Sequence, residues 1–251
     1  MSKPHNYQTE AVIIKKIKLG EADRILTLYT PHLGKIQAVA KGVRRPRSKM
    51  AGHLELLTYS QVSLARGRNL DTVTGGQTVE GFLALKSDLE LTSYALYAVE
   101  LVEQFTAEQI ENYPLFELLL ETLRRLSQED SRELALRFFE LHLLDLVGYR
   151  PQLRQCVACH QPLKPVTNYF SPLGGGVLCP GCQPRQFPTY PLSLNALKVL
   201  RWLQGNDWDT ASRLKLTPAL SRELELVIRD YLKYLLERDV KSTAWLDNLK
   251  G

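Results

Sequence analysis

Four cysteines occur in the chain, and all of them fall in "CVACHQPLKPVTNYFSPLGGGVLCPGC", residues 156 to 182. Cys156 and Cys159 make one C-x2-C, and Cys179 and Cys182 make a second. A two-residue gap lets both thiolates of a tight turn face one ion, and two such turns complete a tetrahedral four-sulfur shell that suits zinc. The turns "VACHQ" and "PGCQP", with Gly174 to Gly176 between them, supply the bends. Four thiolates close the shell, so the spacing predicts one structural Zn2+ rather than a catalytic one. A dithiol redox centre would need one exposed C-x2-C at a helix start, and a disulfide would need an oxidising compartment. "CPGC" resembles the P-C-x-x-C of zinc deaminases, but the H-x-E match, His53 to Glu55, lies far upstream in strand-like sequence. His160 reads as an exposed loop side chain.

Other chemistry is sparse. "YTPHLGKI" lacks the first glycine and the hydroxyl residue of a phosphate-binding P-loop. His142 and Asp145 sit three apart on a predicted helix, where a satisfied histidine is the expected reading. His5 and His32 do not cluster with ligand spacing. The chain is therefore read as a non-enzyme.

Charge points to a polyanion. Residues 1 to 80 carry 13 Lys and Arg against 6 Asp and Glu, a balance of +7, whereas residues 81 to 251 carry 19 against 21. No acidic residue separates Arg24 from Glu55, and "KGVRRPRSKMAGH" gathers Lys41, Arg44, Arg45, Arg47 and Lys49 in one connection stiffened by Pro46. That pattern predicts phosphate contact. Residues 1 to 81 contain no Phe or Trp, only Tyr7, Tyr29 and Tyr59, so backbone contact with little base stacking is expected, on single strands and duplex alike.

The elements that must carry these residues divide by periodicity. "AVIIKKIKL", "RILTLYT", "GKIQAVAKGV", "LELLTYSQVSLARG" and "LDTVTGGQTVE" are β-branched runs separated by glycine and proline breaks, which predicts a five-stranded barrel with a basic connection. From Leu89 to Phe105 and from Tyr113 to Ser127 apolar residues recur at helical spacing. "SRELALRFFELHLLDLVGYRP" predicts a buried helix capped by Ser131 and stopped near Gly148. "SLNALKVLRWLQG" and "PALSRELELVIRDYLKYLLER" predict two more helices beyond the cysteines. The fold class expected is α+β: an OB-fold barrel domain over residues 1–81, then an all-α domain over 82–251 with a zinc module inserted at 151–188. The apolar run at the N-terminus is only four residues long, so neither a signal peptide nor a membrane span is expected, and a cytoplasmic location follows.

"GEADRILTLYTPHLGKIQAVAKGVRRPRSKMAGHLE", "FFELHLLDLVGYRPQLRQC" and the two C-x2-C pairs together resemble the zinc-bearing members of the RecO family of recombination mediators. The resemblance implies DNA repair, binding of single- and double-stranded DNA, and annealing of complementary strands without ATP. It also implies contact with the acidic C-terminal tail of single-strand-binding protein, partnership with RecR in loading RecA, and a place at the nucleoid. It extends the DNA-binding surface to Arg24 and Lys35, and maps the zinc ligands onto Cys156, Cys159, Cys179 and Cys182. Arg124, Arg125, Arg132 and Arg137 are candidates for the tail, unless they pair with Glu121, Glu129 and Glu133. The residues alone leave two alternatives: an RNA-binding or translation-associated barrel protein, since RNA presents the same phosphates, and a zinc hydrolase or deaminase.

Overall fold

A computed structural model describes residues 5–128, 131–183, 188–237 and 239–243. Residues 184–187 of the expected zinc module, residues 244–251 and Glu129 lie outside this set.

The first half begins with β1 (Asn6–Leu19), β2 (Asp23–Thr30), β3 (Gly34–Ala40), β4 (Tyr59–Ala65) and β5 (Asp71–Glu80). These pair in the closed order β1-β2-β3-β5-β4. β1 serves two neighbours, β4 with its first half and β2 with its second, and a bulge between Ile13 and Lys15 shifts the register with β2. Alternation then sorts the faces. Ala11, Ile13, Leu26, Leu28, Ile36, Ala38, Val62, Leu64 and Val73 fill the interior. The seam that closes the barrel is parallel and short, Ala38 with Asp71 and Val39 with Thr72.

The chain between β3 and β4 is not a free loop. Val43 and Leu54 are buried in the barrel core, and a 3-10 turn at Gly52–Leu54 stoppers that end.

α1 (Leu83–Ser87), α2 (Leu89–Phe105) and α3 (Tyr113–Gln128) pack onto the same unit. Asp88 caps α2 by accepting the Leu91 N–H at 2.9 Å. α3 buries Leu115, Phe116, Leu119, Leu123 and Leu126, and the Phe116 ring lies 6.4 Å from Tyr29 and 6.1 Å from Tyr59. The switch from strand to helix comes at Gly81, while the compact unit that contains the barrel runs on to Gln128.

The second compact unit is Glu129–Thr243. It holds α4 (Arg132–Leu146), a three-stranded sheet of β6 (Asn168–Ser171), β7 (Gly176–Leu178) and β8 (Tyr190–Leu192), then α5 (Leu194–Gly205), α6 (Trp208–Ala211) and α7 (Pro218–Leu236). Ser131 occupies the N-cap position of α4, but its side chain makes no capping bond. The stop is as expected. Gly148, at φ +86, lets the Tyr149 N–H return to the Leu144 carbonyl at 2.7 Å. No helix of the described residues is long and apolar enough to cross a membrane.

Candidate metal centre and nucleic-acid interface

The four cysteines converge. Their sulfurs all lie within 4.8 Å of one another, and Cys159 Sγ is 3.9 Å from Cys179 Sγ. Two local devices bring this about. The first turn reverses at His160, φ +59, where its N–H bonds the Cys156 carbonyl at 2.9 Å and the Cys156 N–H bonds the Gln161 carbonyl at 2.9 Å. The second is a 3-10 turn, Pro180–Cys182, in which the Cys182 N–H donates to the Cys179 carbonyl at 3.0 Å. The turns are then stapled together by backbone. Gln152 donates to Gly175 and accepts from Val177, each at 2.9 Å, and Val157 donates to Val177 at 3.0 Å. Gly176 permits this approach, since a Cβ there would stand 2.5 Å from the Gln152 carbonyl oxygen. Helix α5 holds the segment from behind through Arg201 Nε to the Leu153 carbonyl at 2.8 Å and Gln204 to that of Pro151 at 2.9 Å.

Burial opposes ionisation of Cys156. The N–H groups of Cys159, Cys179 and Ala158 outweigh it and bring the thiol down to about 6, and the Cys179 N–H donates to this sulfur at 3.4 Å. Cys182 is pushed up to about 12 by hydrogen bonds to the Cys179 and Cys159 thiols. Four crowded thiols thus share protons that a cation would displace. A tetrahedron of sulfurs at about 2.3 Å from its metal has edges of roughly 3.8 Å, so this donor set fits one ion. It is the one such cluster among the described residues. His160 is exposed, as expected of a loop side chain. His142 is satisfied by the Leu203 carbonyl at 3.0 Å and stacked on Phe138 at 4.0 Å, and His53 Nδ1 lies 2.9 Å from the Thr78 hydroxyl.

The basic residues separate into two groups. Lys41, Arg44, Arg45, Arg47 and Lys49 are all exposed on the connection, and none has an ion-pair partner among the described residues. The backbone beneath them is pinned to the β1–β2 hairpin. Arg44 donates from its N–H to the Ala22 carbonyl at 2.9 Å and from Nη1 to that of Gly20 at 3.2 Å, and the Gly42 N–H bonds Asp23 Oδ1 at 2.7 Å. Arg24 lies beside this surface, half-buried, 3.8 Å from Glu55, which also pairs with Lys16. Lys35 is elsewhere. It is the second residue of β3, about 20 Å from Lys41 at the rise of a strand, and its Nζ donates to the Glu103 carbonyl at 2.5 Å. Burial pushes its pKa down, against the charges of Glu103 and Glu108. It anchors α2 rather than extending the basic surface.

Charge runs alone passed over Arg66 and Arg68. Both belong to the β4–β5 loop, which enters β5 beside Ala38, whereas the β1–β2 hairpin and the start of the basic connection lie together at the Ala40 end of β3. "ARGRN" was the available signal.

Residues 1–82 match the family model described as Recombination protein O N terminal, and residues 86–244 match Recombination protein O C terminal. The chain belongs to the RecO family. A relative from Dehalococcoides mccartyi named DNA repair protein RecO is 50% identical over 249 residues, 99% of this chain and 98% of that one. A Roseiflexus relative of the same name is 46% identical over 97% of this chain and 86% of its own length. One from Symbiobacterium thermophilum is 35% identical over 98% of each.

Of the arginines that the RecO resemblance offered for a partner tail, Arg124 and Arg137 are committed. On α3, Arg124 bonds Glu80 at 2.9 Å and Glu121 at 2.6 Å. On α4, Arg137 is buried against Glu140 at 2.9 Å, so it is not a surface group. Glu133 accepts the Ser221 hydroxyl.

Proposed function

We propose that this protein is a non-catalytic DNA repair and recombination mediator. It holds single- and double-stranded DNA by the phosphates, anneals complementary strands without ATP, and with RecR helps load RecA onto strands coated by single-strand-binding protein. The observation that carries the reading is the basic connection: five exposed cations without a carboxylate partner among the described residues, on a backbone clamped to the β1–β2 hairpin. A preformed cationic surface spends little entropy on ordering when phosphates arrive. Lys41, Arg44, Arg45, Arg47 and Lys49 make the contacts, with Arg24 at their edge. RecO membership supports the repair role and a cytoplasmic, nucleoid-associated location.

Cys156, Cys159, Cys179 and Cys182 hold one structural zinc ion, which ties the two turns and leaves no open position for substrate. The tail of single-strand-binding protein docks on the helical part of the chain.

The test is the salt dependence of binding. Five phosphate contacts give a slope of log K against log salt of about −3.5 for single strands and about −4.5 for duplex. Arg44→Glu with Arg45→Glu should flatten both slopes, weaken all sequences alike and suppress annealing, with zinc content intact. Unchanged affinity and slope in that variant would remove the proposal.

A further inference from the structure

We propose that the cleft where the 52–58 segment meets α1 and α2 binds an aliphatic carboxylate, its head group on the Lys86 ammonium and its chain along leucines. The cleft measures about 740 Å³, the size of a small-molecule site. Leu56 and Leu57 line it from the segment, Leu83 from α1 and Leu96 from α2. Arg124, Arg125, Arg132 and Arg137, the candidates for the partner tail, lie on α3 and α4 and are not part of it.

The lining is held in place by its own hydrogen bonds. Leu57 keeps a left-handed backbone at φ +59, and β1 fixes it there: the Leu57 N–H donates to the Ile13 carbonyl at 3.0 Å, and the Ile13 N–H donates to the Thr58 carbonyl at 3.0 Å. Phe82 enters α1 at φ +47, and the Thr92 hydroxyl ties α2 back to the Leu85 carbonyl. A left-handed backbone is unfavourable for leucine and phenylalanine and persists only where surrounding contacts impose it. A cleft built this way spends little on ordering when a ligand enters.

The polar groups select the ligand's charge. Three threonines line the cleft, and each hydroxyl already has a partner: Thr58 accepts from Lys86 Nζ at 2.6 Å, Thr78 bonds His53 Nδ1 at 2.9 Å, and Thr92 is spent on Leu85. Glu55, the one carboxylate of the lining, pairs with Lys16 and lies 3.8 Å from Arg24. That leaves Lys86. Its ammonium has three N–H donors, and among the described residues the Thr58 hydroxyl is its one hydrogen-bond acceptor. Burial pushes its pKa down, with Lys16 adding to this and Glu55 opposing it. A half-buried cation with two unspent donors gains from an incoming anion. Two donors match the two oxygens of a carboxylate. A phosphoryl group, with three oxygens and more charge, would call for further cations, and Lys16 and Arg24 are engaged by Glu55. The apolar lining is leucine with no aromatic ring, which suits a flexible aliphatic body rather than a planar one.

The experiment titrates decanoate, 1-decanol and butyrate into the full chain by calorimetry. Decanoate should bind at one saturable site, about tenfold more tightly than decanol, which has the chain without the charge, and more tightly still than butyrate, which has the charge without the chain. Lys86→Met keeps the stem and removes the charge, so it should cost decanoate about tenfold and leave decanol unchanged. Leu83→Glu, at a position 78% exposed, should weaken decanoate more than decanol. Circular dichroism confirms the fold of each variant. Butyrate binding as tightly as decanoate would place the anion on the basic connection instead. Equal affinities for decanoate and decanol, or a folded Lys86→Met variant that binds decanoate as the wild type does, would take the amine out of the site. Each of these results overturns the inference. So does a wild-type chain that binds no decanoate but self-associates in sedimentation and loses that association in Leu83→Glu, which would assign the leucines to a second copy.

Discussion

Gly34 sits at φ +62 where β3 begins, and a Cβ there would stand 2.0 Å from the Ile110 carbonyl oxygen. Gly20, in the β1–β2 hairpin, has a similar φ of +58 and nothing within 4 Å. Both positions charge an L residue for the left-handed backbone, but only Gly34 adds a collision with main chain. Gly20→Ala should therefore lose about 1 kcal/mol and Gly34→Ala at least about 2 kcal/mol more, as read by urea unfolding. Equal losses would show that the 106–112 segment simply moves away. The Arg137–Glu140 pair gives a second residue-scale expectation. Its side chains are 4% and 0% exposed. Glu140→Leu leaves a buried guanidinium facing no counter-charge and should cost about 3–5 kcal/mol, while Arg137→Met combined with Glu140→Leu should recover most of it.

Among the elements, the cysteine turns depend on the ion more than on their own packing. β6 and β7 have four and three residues, too few to stand alone. Cys179→Ser, or a chelator, should loosen residues 152–182 and lower the melting temperature, while DNA affinity changes little because the basic connection belongs to the other compact unit. Elemental analysis should find about one zinc in the wild type and much less in the variant. The same elements show what the sequence could tell. The barrel strands and long helices were legible because β-branched runs and 3.6-residue stripes persist over many residues, and the cysteine pairs because their spacing is rigid. β6 to β8 were not, since their three or four residues carry no period and pair only with one another, with Gln152 bridging Gly176 at the edge of β7. Lys35 read as one more cation, because nothing local says that α2 ends over it. Ser131 stands where a cap belongs, yet its hydroxyl makes no capping bond.

At the scale of the molecule, an amphipathic stripe announces that a helix buries a face without saying against what. Tyr29 and Tyr59 are covered by Phe116 of α3, so the barrel buries part of its outer face under helices that follow the strand-to-helix switch. A fragment ending at residue 82 should expose these rings, bind a hydrophobic dye and unfold without cooperativity, whereas a fragment ending at residue 128 should melt in one transition. Two indistinguishable melts would mean that α2 and α3 only rest on the barrel.

The barrel is closed by two residue pairs between β3 and β5, against seven in each antiparallel seam of β2. The shorter ladder opens first, so amide protons near Val39 and Thr72 should trade with deuterium ahead of those in the β1–β2 ladder. β3 runs out of that seam into the connection that carries Lys41, and β5 enters it at the other end from the loop that carries Arg68. A nucleic acid lying across both loops would bridge the gap like a splint, and the slowing of exchange at this one place would report occupancy without any label on the DNA.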